Sequence, residues 1–166
     1  MGILPRATRR KSFLRGGPPR ALVLLAGTSA LLFSTPASPL ASCLNGGAAN
    51  KAYLLIQHLN GAVVEQCVGF DAAQLAGDDL MRQSGIGYET QRFRDGLAIC
   101  SIDGEPPKVA ECFPAHGPWW SMWVSTGRTG RWDRANDGYT RIALGNGDAL
   151  GWHYGDEESP PPLPRR

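Results

Sequence analysis

The sequence predicts a small α+β domain, made mostly of β-strands with one short helix and stabilised by disulfides. Short segments in which apolar and polar residues alternate, and which are rich in β-branched residues, are separated by Gly, Asn, Asp and Pro. This pattern is typical of strands joined by turns. Beyond the N-terminal region, one segment has the start and stop signals of a helix. Four cysteines form an even set, as expected for disulfides in an oxidising compartment. We therefore expect one helix packed on a mostly antiparallel sheet.

Length and composition indicate a single folded domain. The chain has 166 residues, of which 42% are hydrophobic and 19% charged, and this balance excludes wholesale disorder. The formal charge of +2 is the sum of a basic N-terminal part and an acidic remainder. Residues 1–42 carry six basic and no acidic residues, whereas the remainder carries 11 basic and 15 acidic residues, a net charge of −4. An acidic body does not concentrate on phosphates, so we predict no nucleic-acid partner.

Residues 1–42 have the pattern of a signal peptide. A basic region extends to Arg20, an apolar run covers residues 21–33, and small residues and prolines follow from Ser34. The run is shorter than the roughly 20 residues that cross a bilayer, so we expect cleavage and no stable membrane span afterwards. An uncleaved anchor is the alternative. The predicted localisation is secreted or extracytoplasmic.

Cys43 has two competing interpretations. The segment Leu40-Ala41-Ser42-Cys43 fits the lipoprotein box of bacteria, in which the cysteine becomes a lipid-anchored first residue. Alternatively all four cysteines, Cys43, Cys67, Cys100 and Cys112, form disulfides. We favour disulfides because lipidation would leave an odd thiol. Four cysteines allow three pairings, so the residues alone leave the connectivity open.

Two hairpins are expected in the first half of the mature chain. Residues 52–59 and 62–68 predict strands joined by a two-residue type I′ turn at Asn60-Gly61. Residues 88–93 and 97–102 predict a second hairpin. Between them, acidic residues that suit a helix start precede an apolar pair and a glycine stop: Asp78, Asp79, Leu80, Met81 and Gly85.

The second half is expected to contain more strands and a long loop. Pro106-Pro107 predict a loop over residues 104–118, which a disulfide between Cys100 and Cys112 would close. Residues 119–125 predict a strand, and residues 139–144 are expected to pair with 149–154. The Pro-rich tail, residues 156–166, is predicted to be disordered.

The most distinctive feature is a cluster of aromatic residues. All five tryptophans fall between residues 119 and 152. Strand alternation puts Trp119, Ser121 and Trp123 on one face and Trp120, Met122 and Val124 on the other. An accessible aromatic surface with a polar rim is typical of binding sites, so the predicted ligand-binding residues are Trp119, Trp123, Trp132, Trp152 and Tyr154. The alternative is that the tryptophans only fill the core.

Signatures of catalysis are missing, and we predict neither an enzyme nor a cofactor. The sequence lacks a Walker loop, Gly-x-Gly-x-x-Gly, His-Glu-x-x-His and Gly-x-Ser-x-Gly. A metal site from His116, His153 and Asp148 is an alternative that we do not favour. A glycan hydrolase would require acids among Asp133, Asp137 and Asp148.

Several motifs together carry a family resemblance. They are Trp119-Trp120-Ser121-Met122-Trp123, then Gly127, Trp132 and Gly138, the segment from Gly147 to Gly155, the segment from Leu75 to Leu80, and the Cys100–Gly104 turn. Over about residues 51–155 the chain resembles the C-terminal domain type of transcobalamin and intrinsic factor, which recurs in secreted and surface proteins of bacteria. The resemblance implies a β-grasp-like domain over residues 43–155 without catalytic residues. It also implies the pairs Cys43–Cys67 and Cys100–Cys112.

Two departures from the family bear on ligand binding. The animal proteins close a helical domain and this smaller domain around cobalamin, and the 166 residues contain no such helical partner. Thr126-Gly127 stands where Asn-Gly is usual. Our leading hypothesis is a secreted, non-enzymatic module that binds a small, corrinoid-like molecule or a cell-surface partner. The alternatives are a structural cell-envelope protein without a small ligand and a protein that binds or hydrolyses cell-wall glycans.

Overall fold

A computed structural model describes residues 42–94 and 96–165 of the chain. The predicted signal peptide, apart from Ser42, lies outside the described residues. Within them the chain forms mostly β-sheet with one short α-helix and two disulfides, which confirms the predicted α+β class. No helix in this described part is both long and apolar enough to cross a membrane.

Nine strands, one α-helix and one 3₁₀ turn make up the described regular structure. In chain order they are β1 (Asn50–Gln57), β2 (Val63–Phe70), β3 (Leu75–Ala76), α1 (Gly77–Ser84), β4 (Tyr88–Phe93), β5 (Gly96–Ile102), β6 (Trp119–Ser125), β7 (Asp133–Arg134), the 3₁₀ turn (Tyr139–Arg141), β8 (Ala143–Leu144) and β9 (Ala149–Gly155). Residues 103–118 are largely loop, as the two prolines predicted.

The main sheet has five strands in the order β2-β1-β9-β6-β7. Its central pair, β1 and β9, is parallel, and the other neighbours are antiparallel. Two small antiparallel pairs, β3-β8 and β4-β5, lie beside this sheet. The sheet is therefore mixed but mostly antiparallel, and the start and end of the domain meet at its centre.

The first hairpin is confirmed, but its turn is not the predicted type I′. A type I′ turn needs positive φ at both central residues. Gly61 has a φ of +81°, whereas Asn60 does not have a positive φ. The His58 carbonyl accepts from the Gly61 N–H at 2.8 Å, and the His58 N–H donates to the Ala62 carbonyl at 2.9 Å. The connection is therefore one residue longer, with the glycine providing the left-handed position.

The predicted helix is confirmed as α1. Asp78 and Asp79 lie in its first turn, where the helix dipole favours negative charge. Gly85 ends the helix with a φ of +73°, a left-handed conformation that glycine adopts without a steric penalty. Leu80 and Met81 are fully buried and pack the helix onto one face of the main sheet. We call that face the inner face and the opposite one the outer face.

The expected pairing of residues 139–144 with 149–154 is wrong. Residues 139–141 form the 3₁₀ turn, and β8 pairs with β3 instead. Both edges of β9 are occupied, by β1 on one side and β6 on the other, so no edge remains for the preceding segment. The turn before β9 is attached to β1, because the Lys51 N–H donates to Asn146 Oδ1 at 2.9 Å and the Gly147 N–H donates to the Lys51 carbonyl at 2.8 Å.

The C-terminal tail differs from the disordered segment that its composition predicted. Pro161 is buried against the outer face near Gly151. Glu158 pairs with Arg134 at 2.8 Å, and Arg165 pairs with Glu65. Composition signals the lack of a hydrophobic core within the tail, but it does not show that the rest of the domain provides a surface for it.

Both disulfides have the pairing that the family resemblance implied. Cys43 is bonded to Cys67 and Cys100 to Cys112, and no cysteine in the described part of the chain is free. The first bond attaches the N-terminal segment to β2, and the second closes the long loop after β5. Paired disulfides are typical of extracytoplasmic proteins.

We expect each disulfide to stabilise the fold mainly by restricting the unfolded chain. For sequence separations of 24 and 12 residues, the loss of conformational entropy in the unfolded chain stabilises the folded state by about 3 kcal/mol per disulfide. The double variants Cys43→Ser/Cys67→Ser and Cys100→Ser/Cys112→Ser should each lose about this much unfolding free energy in urea titrations. An unchanged urea midpoint for either variant would contradict the expectation for that bond.

Candidate ligand-binding cavity

Alternation along β6 separates its tryptophans, as the sequence predicted. The Trp120 side chain lies on the inner face with 4% of its surface exposed. Its indole N–H donates to the Glu105 backbone carbonyl at 2.9 Å. Trp119 and Trp123 are half-buried, and the Trp123 N–H donates to Ser121 Oγ at 3.1 Å. One strand therefore supplies indoles to both sides of the sheet.

Strand β9 directs its two large aromatic residues into the inner core. Trp152 and Tyr154 are 4% and 8% exposed, and the Tyr154 ring lies 4.9 Å from that of Trp120. Burial raises the pKa of the Tyr154 phenol, and the charges of Glu105 and Asp156 add to this. Tyr154 is therefore a neutral core residue at physiological pH.

A cavity of about 300 Å³ lies beside β6, at the point where β7 ends. The last contact between the two segments is the Ala135 N–H donating to the Met122 carbonyl at 3.0 Å. Beyond it the chain leaves the sheet, and this opens a space between β6, β5 and residues 134–139. The apolar and aromatic lining comprises Leu97, Ala98, Ile99, Phe113, Trp119, Trp120, Met122, Tyr139 and Trp152.

Polar groups lie around this aromatic lining. Arg134, Asn136 and Asp137 border the cavity, and Arg134 is held by Glu158. Burial raises the pKa of the Tyr139 phenol above its usual value, and the nearby Tyr88 phenol raises it further. The buried Nε1 of Trp152 has no hydrogen-bond partner among the described residues. The site thus combines apolar walls with a few polar groups, as small-molecule sites do.

The structure brings only part of the predicted site together. Trp119 and Trp152 line the cavity, as does Trp120, which strand alternation placed on the face opposite Trp119 and which the predicted site did not include. Trp123 and Trp132 are not among its lining residues, and Tyr154 is buried against Trp120.

The sequence missed most of the other cavity residues, since they come from β5 and from the segment after β7. Ile99 and Tyr139 are examples. Only the crowding of aromatic residues between positions 119 and 152 pointed to this region.

Two of the acids that the alternative metal and acid sites would use, Asp148 and Asp133, contact neighbouring groups, whereas Asp137 borders the cavity. Asp148 holds the turn before β9, because its carboxylate accepts from the Gly127 and Gly145 N–H groups at 2.7 and 2.8 Å. Asp133 lies 3.5 Å from Arg131. No group of three His, Cys, Asp or Glu residues within ranges 42–94 and 96–165 is arranged to hold a metal ion.

Comparison with known proteins adds little to this geometry. No known family matches the chain, and no curated protein is similar in sequence. One solved structure, from Ruminococcus gnavus and described as a candidate metal-binding protein, is 16% identical and covers 65% of this chain and 98% of its own. Its TM-score is 0.45.

The neighbouring tryptophans of β6 should contribute unequally to stability. Trp120→Ala removes a buried side chain and should cost about 3–5 kcal/mol of unfolding free energy. Trp119→Ala removes a half-buried side chain at the cavity wall and should cost clearly less. Urea unfolding of both variants measures the difference, and equal losses would contradict the half-buried position of Trp119.

Proposed function

We propose that the protein is a secreted, non-enzymatic binding module whose aromatic cavity holds a small, flat molecule or one part of a larger ligand. The observation that carries the proposal is the convergence of Trp119, Trp120, Trp152 and Tyr139 on one cavity with a polar border. Indole faces offer large contact areas to planar groups, and the border residues provide charged and amide groups that orient a ligand.

The size of the cavity restricts the ligand. About 300 Å³ is the volume of roughly ten water molecules at about 30 Å³ each. A planar ring system of one or two rings fits this volume. A whole corrinoid, with its macrocycle, amide side chains and nucleotide loop, is several times larger, so it would insert only an edge or a substituent and leave the rest outside. Much of its binding surface would then have to come from a second protein or domain.

We further propose that the domain is of the β-grasp type and related to the transcobalamin C-terminal class. The support is the parallel pairing of β1 with β9, the antiparallel strands on either side and the packing of α1 on the inner face. The pairs Cys43–Cys67 and Cys100–Cys112 agree with the layout expected for the bacterial members.

A tryptophan-fluorescence titration tests the binding function. We expect cyanocobalamin or the smaller planar probe purine to quench the emission saturably after inner-filter correction. Trp119→Ala should raise Kd by about tenfold, because it removes one aromatic wall of the cavity. Trp123→Ala is the matched control, since Trp123 is on the same strand and is also half-buried but is not among the cavity-lining residues. Its Kd should equal that of the unmodified protein.

Other outcomes would favour the alternative functions. A flat response to both probes, with blue-shifted and quencher-resistant emission, would indicate a structural cell-envelope protein. Saturable quenching by chitooligosaccharides alone would indicate a glycan-binding protein. Release of reducing ends from such a glycan would contradict the non-enzymatic assignment.

The proposed export makes a prediction about covalent structure. Intact mass of the exported protein should correspond to a chain without residues 1–42, short of the four thiol hydrogens lost in two disulfides. We expect no lipid, because the Cys43 sulfur is bonded to Cys67. A diacylglyceryl adduct on Cys43 would show instead that the protein is a lipid-anchored envelope component.

A further inference from the structure

The Pro-rich tail crosses the outer face of the main sheet from one edge to the other. Near the β7 edge, Glu158 pairs with Arg134 at 2.8 Å. Ser159 Oγ then lies 3.1 Å from Nδ1 of His153, on β9. At the β2 edge, the Arg165 N–H donates to Glu65 Oε1 at 2.8 Å, and the Arg165 Nε lies 3.7 Å from Glu65 Oε2. We call this outer-face path, from Arg134 to Glu65, the tail groove.

The middle of the tail groove is shaped to accept a proline ring. A Cβ atom on Gly151 would lie 2.8 Å from Pro161 Cγ and 2.8 Å from Trp132 Cη2. The ring of Pro161 and the indole of Trp132 therefore occupy the space that any other residue at position 151 would fill. Leu55, the neighbour of Gly151 on β1, is only 1% exposed although it lies outside the inner core cluster. The central part of the outer face is thus a packed, apolar contact.

The tail has the chemistry of a polyproline-II ligand. Four prolines within residues 160–164 fix φ near the polyproline-II value and supply no N–H groups. A polyproline-II helix has three residues per turn, so every third residue faces the same side. Pro161 is buried and Pro164 is half-buried, whereas Pro162 and Leu163 between them are exposed. Aromatic-lined grooves recognise such segments because little conformational entropy is lost on binding.

We propose that the tail groove is a binding site for a polyproline-II segment of another protein, and that the chain's own tail occupies the groove until such a segment displaces it. The charged ends of the groove set the direction of the bound segment. An acidic residue of the segment pairs with Arg134, and an arginine of the segment pairs with Glu65, as Glu158 and Arg165 of the tail do. The spacing of Glu158, Pro161, Pro164 and Arg165 gives the pattern acidic-x-x-Pro-x-x-Pro-Arg. The groove shares Arg134 with the border of the cavity of the proposed function, whereas its other named residues, Glu65, Gly151 and Trp132, do not line that cavity.

The test uses the exported chain and a fluorescein-labelled peptide with the sequence of residues 156–165. Pro161→Ser should weaken the internal contact and make the groove accessible, so that the peptide binds roughly tenfold more tightly than to the unmodified chain, whose tail competes at high effective concentration. Pro162→Ser is the matched control, because it removes an exposed proline from the same tail. Fluorescence anisotropy should give this control the affinity of the unmodified chain.

A charge exchange tests the specificity of the groove. In the Pro161→Ser background, Glu65→Lys should weaken binding of the peptide, and a peptide with Glu in place of its final Arg should restore it. Thermal unfolding of each variant verifies that the domain remains folded. The expected restoration depends on a direct contact, so a merely structural role of Glu65 would not produce it.

Three results would overturn the proposal. Equal peptide affinity for the Pro161→Ser and Pro162→Ser variants would show that Pro161 does not fill a groove. Failure of the exchanged peptide to restore binding would show that Glu65 does not recognise the final arginine of the segment. A dimer of the unmodified chain in sedimentation equilibrium that dissociates in Pro161→Ser would identify the occupant as the tail of a second copy. None of these results affects the purine or cyanocobalamin titration of the cavity.

Discussion

The parallel pairing of β1 with β9 is the contact on which the rest of the structure depends. It joins the first long strand of the domain to the last one, with Tyr53 opposite Ala149 and Gln57 opposite His153. Because side chains alternate along a strand, this register directs Trp152 and Tyr154 to the inner face and Gly151 and His153 to the outer face. A shift of one residue would reverse both faces, so the cavity and the tail groove both depend on this single register.

The two faces of the sheet use aromatic residues for different purposes. On the inner face, Trp120, Trp152 and Tyr154 complete a core to which α1 contributes Leu80 and Met81. A small domain buries a limited share of its surface, and large indoles increase the apolar area buried per residue. On the outer face, Trp132 covers Gly151 and provides one wall for Pro161. The aromatic cluster of the sequence is therefore divided between a core, a cavity and a surface contact.

Glycine and proline act together at the tail groove. Gly151 removes a side chain from the middle of β9, and the space is taken by the rings of Pro161 and Trp132. Charge pairs at both ends, Glu158 with Arg134 and Arg165 with Glu65, hold the tail in one direction. Exposed pairs of this kind contribute little stability individually, so they orient the tail, and the Pro161 contact adds apolar burial.

Local patterns in the sequence determined the elements of this protein. The 52–68 hairpin, α1 with its acidic start and Gly85 stop, and the division of the β6 tryptophans between two faces all follow from interactions within a few residues. Only the tertiary structure decided that β9 pairs with β1 and β6, that Trp119 and Trp152 share a cavity while Trp123 does not, and that the tail docks on Gly151. These outcomes depend on which distant segments meet, and periodicity reports the face on which a residue lies without identifying what covers that face.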